Sequence, residues 1–155
     1  MLKFIQNLLN INVLLAGKIR GVQAYDEAIA YHSAKDYKAA FPLMLESATL
    51  GNPQAMSILG TMYLLGQGTK EDGGQAVFWL EKAIAANFAD AESVLGMAYA
   101  TGKAGVKIDI PKATQLLTLA AERGEEQSAR MLEMMQKGEG MFRSLKTRKS
   151  RPDRG

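Results

Sequence analysis

Four residues of the chain return at a fixed interval. Ala55, Gly60, Tyr63 and Gly66 are answered 36 positions later by Ala91, Gly96, Tyr99 and Gly102. A second set, Ala76, Trp79, Leu80 and Ala83, is answered by Ala113, Leu116, Leu117 and Ala120, now 37 positions on. The extra step places one inserted residue in the loop between the two sets. Within the second set the offsets are three, four and seven, the spacing of one helix face. A third, earlier copy is legible in Ala40, Leu43 and Met44, preceded by the helix-like stretch AYDEAIAYHSAKDY. Each unit therefore reads as helix, glycine loop, helix. A pair of short helices cannot bury its apolar face alone, so such units must stack on one another.

The glycines follow from this plan. Gly60 and Gly96 fall inside helices, at a cost of ~1 kcal/mol relative to alanine, which close approach by a neighbouring helix would offset. Gly66 and Gly102 stand where first helices should end in a left-handed residue. Gly51, Asn87 and Gly124 hold the matching place after the second helices. Asn52 followed by Pro53 reads as a cap and a first turn.

The pattern A…LG.MY..G.G followed by A..WL.KA resembles the Sel1-like repeat, a relative of the tetratricopeptide repeat with a longer inter-helix loop. The clearest units are Pro53–Asn87 and Ala89–Gly124, and AYHSAKDYKAAFPLML is closer to a plain tetratricopeptide unit. A further helix from Glu125 to Lys137 is expected to cap the array. The fold class expected is all-α, a solenoid of stacked helix-turn-helix units. Its expected divisions are an amphipathic helix over 1–21, the repeats and cap over 22–137, and a basic flexible tail over 138–155. The resemblance implies a protein-binding role without chemistry of its own, and no cofactor.

Charge is unevenly placed along the chain. Residues 1–20 carry Lys3, Lys18 and Arg20 with no acid, and residues 142–155 sum to +5, which leaves 21–141 at −5. An acidic body argues for a protein partner over nucleic acid, while the basic tail could touch an anionic membrane or an acidic partner. The absence of cysteine excludes disulfides, thiolate catalysis and cysteine-based metal sites. The N-terminal stretch faintly resembles a signal peptide, but Gln6, Asn7, Asn10 and Asn12 interrupt it. Phe4, Leu8, Ile11, Leu15 and Ile19 instead form one helical stripe, expected to pack on the solenoid end or on a membrane surface. A cytoplasmic location is expected, or a periplasmic one if residues 1–24 act as an atypical signal segment.

If Ala55, Leu59, Gly60 and Tyr63 face the core, the opposite stripe of that helix is Gln54, Ser57, Thr61 and Leu65. Repeat spacing carries this stripe to Asp90, Ser93, Met97 and Thr101, and the tetratricopeptide register adds Tyr25, Ile29 and His32. In the family resembled, these first-helix positions line the concave surface that holds a protein or peptide. His32 is the only histidine, and Ser33 beside it cannot face it on a helix, which argues against a serine–histidine pair. GQGTKEDGG fails the spacing of phosphate-binding loops. Two roles fit the resemblance, an adaptor in a bacterial signalling or envelope complex and an immunity protein against a secreted toxic effector. The alternative is a membrane-peripheral assembly factor using the basic termini and the first helix.

Overall fold

The computed structural model describes residues 1–149. Among them are seven α-helices: α1 (Leu2–Ser33), α2 (Tyr37–Thr49), α3 (Pro53–Leu65), α4 (Gly73–Ala85), α5 (Asp90–Thr101), α6 (Ile110–Glu122) and α7 (Glu126–Lys149). A short 3-10 turn, Lys103–Gly105, lies between α5 and α6. The helices pair as α1–α2, α3–α4 and α5–α6, each pair packs on the next, and α7 closes on α6. This is the solenoid that the spacing predicts.

Short polar side chains start the helices. Asp36, Asn52, Asp72 and Asp109 each accept a backbone N–H three residues on, from Ala39, Ala55, Gln75 and Lys112 at 2.9–3.2 Å. Gly66 and Gly102 end α3 and α5 at φ 65° and 70°, the left-handed region where glycine has no Cβ penalty. The two inter-helix loops close alike. Asp72 N–H donates to the Tyr63 carbonyl and Asp109 N–H to the Tyr99 carbonyl, both at 3.0 Å. The second loop has one residue more, taken up by the 3-10 turn, where Ala104 sits at φ 56°.

Alanine dominates the interior. Ala40, Ala76 and Ala113 occupy one repeat position and Ala55 and Ala91 another, all fully buried, with Leu59, Leu80 and Leu117 filling the space between. Trp79 is buried with them, as its register predicts.

Two boundaries differ from expectation. Residues 1–21 are not a separate helix, because α1 runs unbroken from Leu2 to Ser33. Nothing in its sequence breaks it, and only Gly17 onward reaches α2. There Ser47 Oγ donates to the Gly21 carbonyl at 2.7 Å, and Arg20 donates through Nε and Nη2 to Glu46 at 2.7 and 2.9 Å. The stripe Phe4, Leu8, Ile11, Leu15 and Ile19 does not pack on the solenoid end. Every one of these side chains is exposed. At the other terminus, α7 continues to Lys149, so residues 138–149 expected as flexible tail are helical. Residues 150–155 lie outside the described residues.

Candidate partner-binding surface

The expected stripe occupies three first helices, α1, α3 and α5. Here α3 packs on α5, and α5 on α7, while no comparable packing joins α2 to α4 or α4 to α6. First helices therefore crowd together and second helices splay, so the first-helix side is the inner side of the curve. No comparable packing joins α1 to α3 either. Tyr25, Ile29 and His32 thus form a separate group, while the α3 and α5 positions share a continuous surface.

Burial sorts the candidates further. Gln54, Leu65, Asp90 and Thr101 are exposed, Leu65 at 50%, and Thr61 and Ser93 are half-buried. Ser57 is 7% exposed, which corrects its assignment as a contact residue: the small side chain lies within the packed solenoid. Tyr25, Ile29 and Met97 are half-buried and pack against the core, so each offers one flank. His32 stacks edge-on against Tyr37 with ring centroids 5.2 Å apart.

The hydroxyls of the stripe turn inward. Thr61 Oγ1 donates to the Ser57 carbonyl, Ser93 Oγ to that of Asp90 and Thr101 Oγ1 to that of Met97, at 2.8–3.2 Å. Those protons are engaged within the helices, Thr61 one turn from Leu65 and Thr101 one turn from Met97. The surface is more apolar than its sequence suggests.

Among the described residues, no group of three or more His, Cys, Asp and Glu side chains comes together to hold a metal. The Sel1 repeat family model matches residues 53–88 and 89–125, the two units whose loops close on the same Asp-to-Tyr backbone hydrogen bond. Residues 53–125 are two Sel1 repeats. Solved Sel1-type structures superpose on it. A Sel1 repeat protein from Oxalobacter formigenes is 31% identical, with a TM-score of 0.64 over 74% of this chain and 48% of its own. The c5321 protein, a protective antigen present in uropathogenic Escherichia coli strains, is 29% identical with a TM-score of 0.63, covering 70% of this chain and 24% of its own. Cysteine-rich protein B of Helicobacter pylori is 26% identical with a TM-score of 0.52, covering 60% and 69%. The chain spans about half the length of the first and a quarter of the second. No curated protein matches the sequence. Sel1 repeats generally mediate protein–protein interaction, typically as scaffolds without catalysis.

Two features of the Sel1 array lie outside the expected stripe. A cleft of 310 Å³ opens between α4 and α6, floored by Leu95 and Tyr99 and walled by Ile84, Ala85 and Leu116, with Glu81 and Lys112 on its rim. The repeat alignment marks it: Leu116 stands where the preceding unit has Trp79. The other is Glu92, 6% exposed on α5 and paired with Arg123 after α6. Met56 holds the equivalent place one repeat earlier, so the sequence signal was a carboxylate at a core position.

Proposed function

We propose that this chain binds a protein or peptide along its inner face, over the surface that α3 and α5 build together. The carrying observation is Leu65, an exposed leucine at the end of α3 one turn from Thr61, whose hydroxyl is already bonded. Apolar side chains on a face of this kind gain free energy when a partner covers them. Half-buried Met97 extends the contact, and exposed Asp90 and Gln54 supply a polar rim of the sort that surrounds such contacts. A toxic effector as partner makes the chain an immunity protein; a component of a signalling or envelope complex makes it an adaptor.

The test is affinity capture of the partner followed by titration calorimetry with surface variants. Leu65→Glu places a charge in the apolar contact, where it cannot be buried unpaired without cost, and should weaken binding about tenfold or more. Phe78→Glu, on the opposite side and 46% exposed, should leave affinity unchanged. The reverse result would move the site to the outer face.

A further inference from the structure

Among the described residues, the first fifteen residues of α1, Leu2 to Ala16, are all exposed. Over this stretch the helix stands free for roughly 22 Å at 1.5 Å per residue. Its apolar side chains are open to solvent, Phe4 at 68%, Leu8 at 45% and Leu15 at 55% among them. At about 100° per residue, Leu2, Phe4, Ile5, Leu8, Leu9, Ile11, Val13, Leu15, Ala16 and Ile19 fall in one sector roughly 200° wide. Gln6, Asn7, Asn10 and Lys3 hold the remaining side, with Leu14 the exception there and Asn12 the exception in the apolar sector.

The direction of that sector is fixed by the body. Gly17, Gly21, Ala24 and Ala28 form the side of α1 that meets α2, and they continue the line of Gln6, Asn10 and Lys3. The apolar sector therefore points away from α2, out from the end of the solenoid. Further along the same outward side the chemistry reverses, to Gln23, Asp26, Glu27 and Ser33. Asp26 is the first acid in the chain, while Lys3, Lys18 and Arg20 all precede it. Arg20 is already held by Glu46, while among the described residues the two lysines make no ion pair.

We infer that residues 2–19 of α1 lie in the interface of an anionic lipid bilayer. The sector is twice the width of the seam that pairs two helices, so a single partner helix would leave much of it wet. A bilayer covers the whole width. Two copies of α1 would also bring together segments that are cationic and hold no acid, whereas anionic headgroups complement Lys3 and Lys18. Among the described residues no helix is long and apolar enough to cross a membrane, which leaves the in-plane orientation. Contact ends near Val22, because Asp26 and Glu27 would be repelled by the same surface. Since α1 is one unbroken helix, its lipid-facing end and the solenoid move as a unit.

Flotation of the full chain with vesicles tests this, using phosphatidylcholine alone and phosphatidylcholine mixed with phosphatidylglycerol. The chain should float with the mixed vesicles, less with the neutral ones, and less as salt rises. The double variant Leu8→Glu/Leu15→Glu changes two side chains that touch no other helix, so its circular dichroism should match the parent. Its binding should fall about tenfold or more, since each buried leucine contributes on that scale. A parent chain that stays in solution overturns the inference. So does binding that survives the double variant but disappears when the chain is cut after Lys137, which would assign it to the basic C-terminal residues. Sedimentation equilibrium without lipid supplies the remaining check. A dimer dissolved by the same two substitutions would assign the face to a second copy, and a monomer is expected.

Discussion

Gly60 lies so close to Leu80 that a Cβ added to the glycine would stand 2.6 Å from Leu80 Cγ. The same contact recurs one repeat later, where a Cβ on Gly96 would stand 2.9 Å from Leu117 Cγ. Both leucines are fully buried, and the atom met is a branch point that cannot swing aside. A helix pair is thus drawn together at one point per repeat, and the cost of glycine inside a helix is offset by that approach. Gly60→Ala and Gly96→Ala should each lower stability by ~1–3 kcal/mol, Gly60→Ala the more of the two. In a double-mutant cycle, Gly60→Ala combined with Leu80→Ala should cost less than the two changes summed. Additive urea midpoints would mean that the glycine is not there for the contact.

The Glu92–Arg123 pair is asymmetric. The carboxylate is 8% exposed by side chain and the guanidinium 54%. Removing the exposed partner leaves a charge in the interior, so Arg123→Ala should cost about 1–3 kcal/mol. Copying the preceding repeat with Glu92→Met removes the charge itself, and should leave stability equal or higher. Thermal midpoints decide; a large loss for Glu92→Met would show that the pair contributes more than its desolvation costs.

Acid should loosen both ends of the array before its middle. The hydrogen bonds from Arg20 hold the Glu46 carboxyl below its ordinary range, and hydrogen bonding from Ser128 does the same for Glu125 at the start of α7. A carboxyl with a lowered folded pKa stabilises the fold above the unfolded value, and this is lost as pH falls through the folded one. Amide exchange near the α1–α2 contact and the first turn of α7 should therefore quicken between about pH 5 and pH 3, ahead of exchange in α3 and α4. Glu46→Gln should flatten the response at α1–α2 alone.

The repeat was legible because its signals are local. Spacings of three, four and seven mark a helix face, an Asx residue marks a start, and a glycine marks a stop or a close approach; the cap at Asn52 and the contacts of Gly60 and Gly96 follow from these. The length of α1 was not legible, because the change at its middle is one of polarity on the outward side rather than of helix propensity. The shift from Leu15 and Ile19 to Asp26 and Glu27 reads as a boundary although the backbone does not break. Of the site, the exposure of Leu65 and Thr101 followed from the stripe, but the burial of Ser57 did not. Its burial depends on how closely successive first helices pack, a tertiary distance that one helix does not encode.

The cleft between α4 and α6 offers a final test of the repeat as a packing code. In the earlier unit, Phe41 packs edge-on against Tyr63 with ring centroids 5.4 Å apart, and Trp79 is buried. In the later one, Tyr99 lines an open cleft and Lys112 Nζ lies 5.1 Å from its ring. The difference traces to Leu116 at the place of Trp79, and to Gln115 at that of Phe78. Leu116→Trp should enter the 310 Å³ space without strain and add apolar contact, raising stability by about 1 kcal/mol. Trp79→Leu, the reciprocal change, should open a matching cleft and cost about 2–4 kcal/mol. Chemical denaturation followed by circular dichroism measures both variants, since the only tryptophan is itself altered in one of them. A destabilised Leu116→Trp would show that the second helices cannot accommodate the larger side chain, and that the cleft is kept open by their spacing rather than by the size of residue 116.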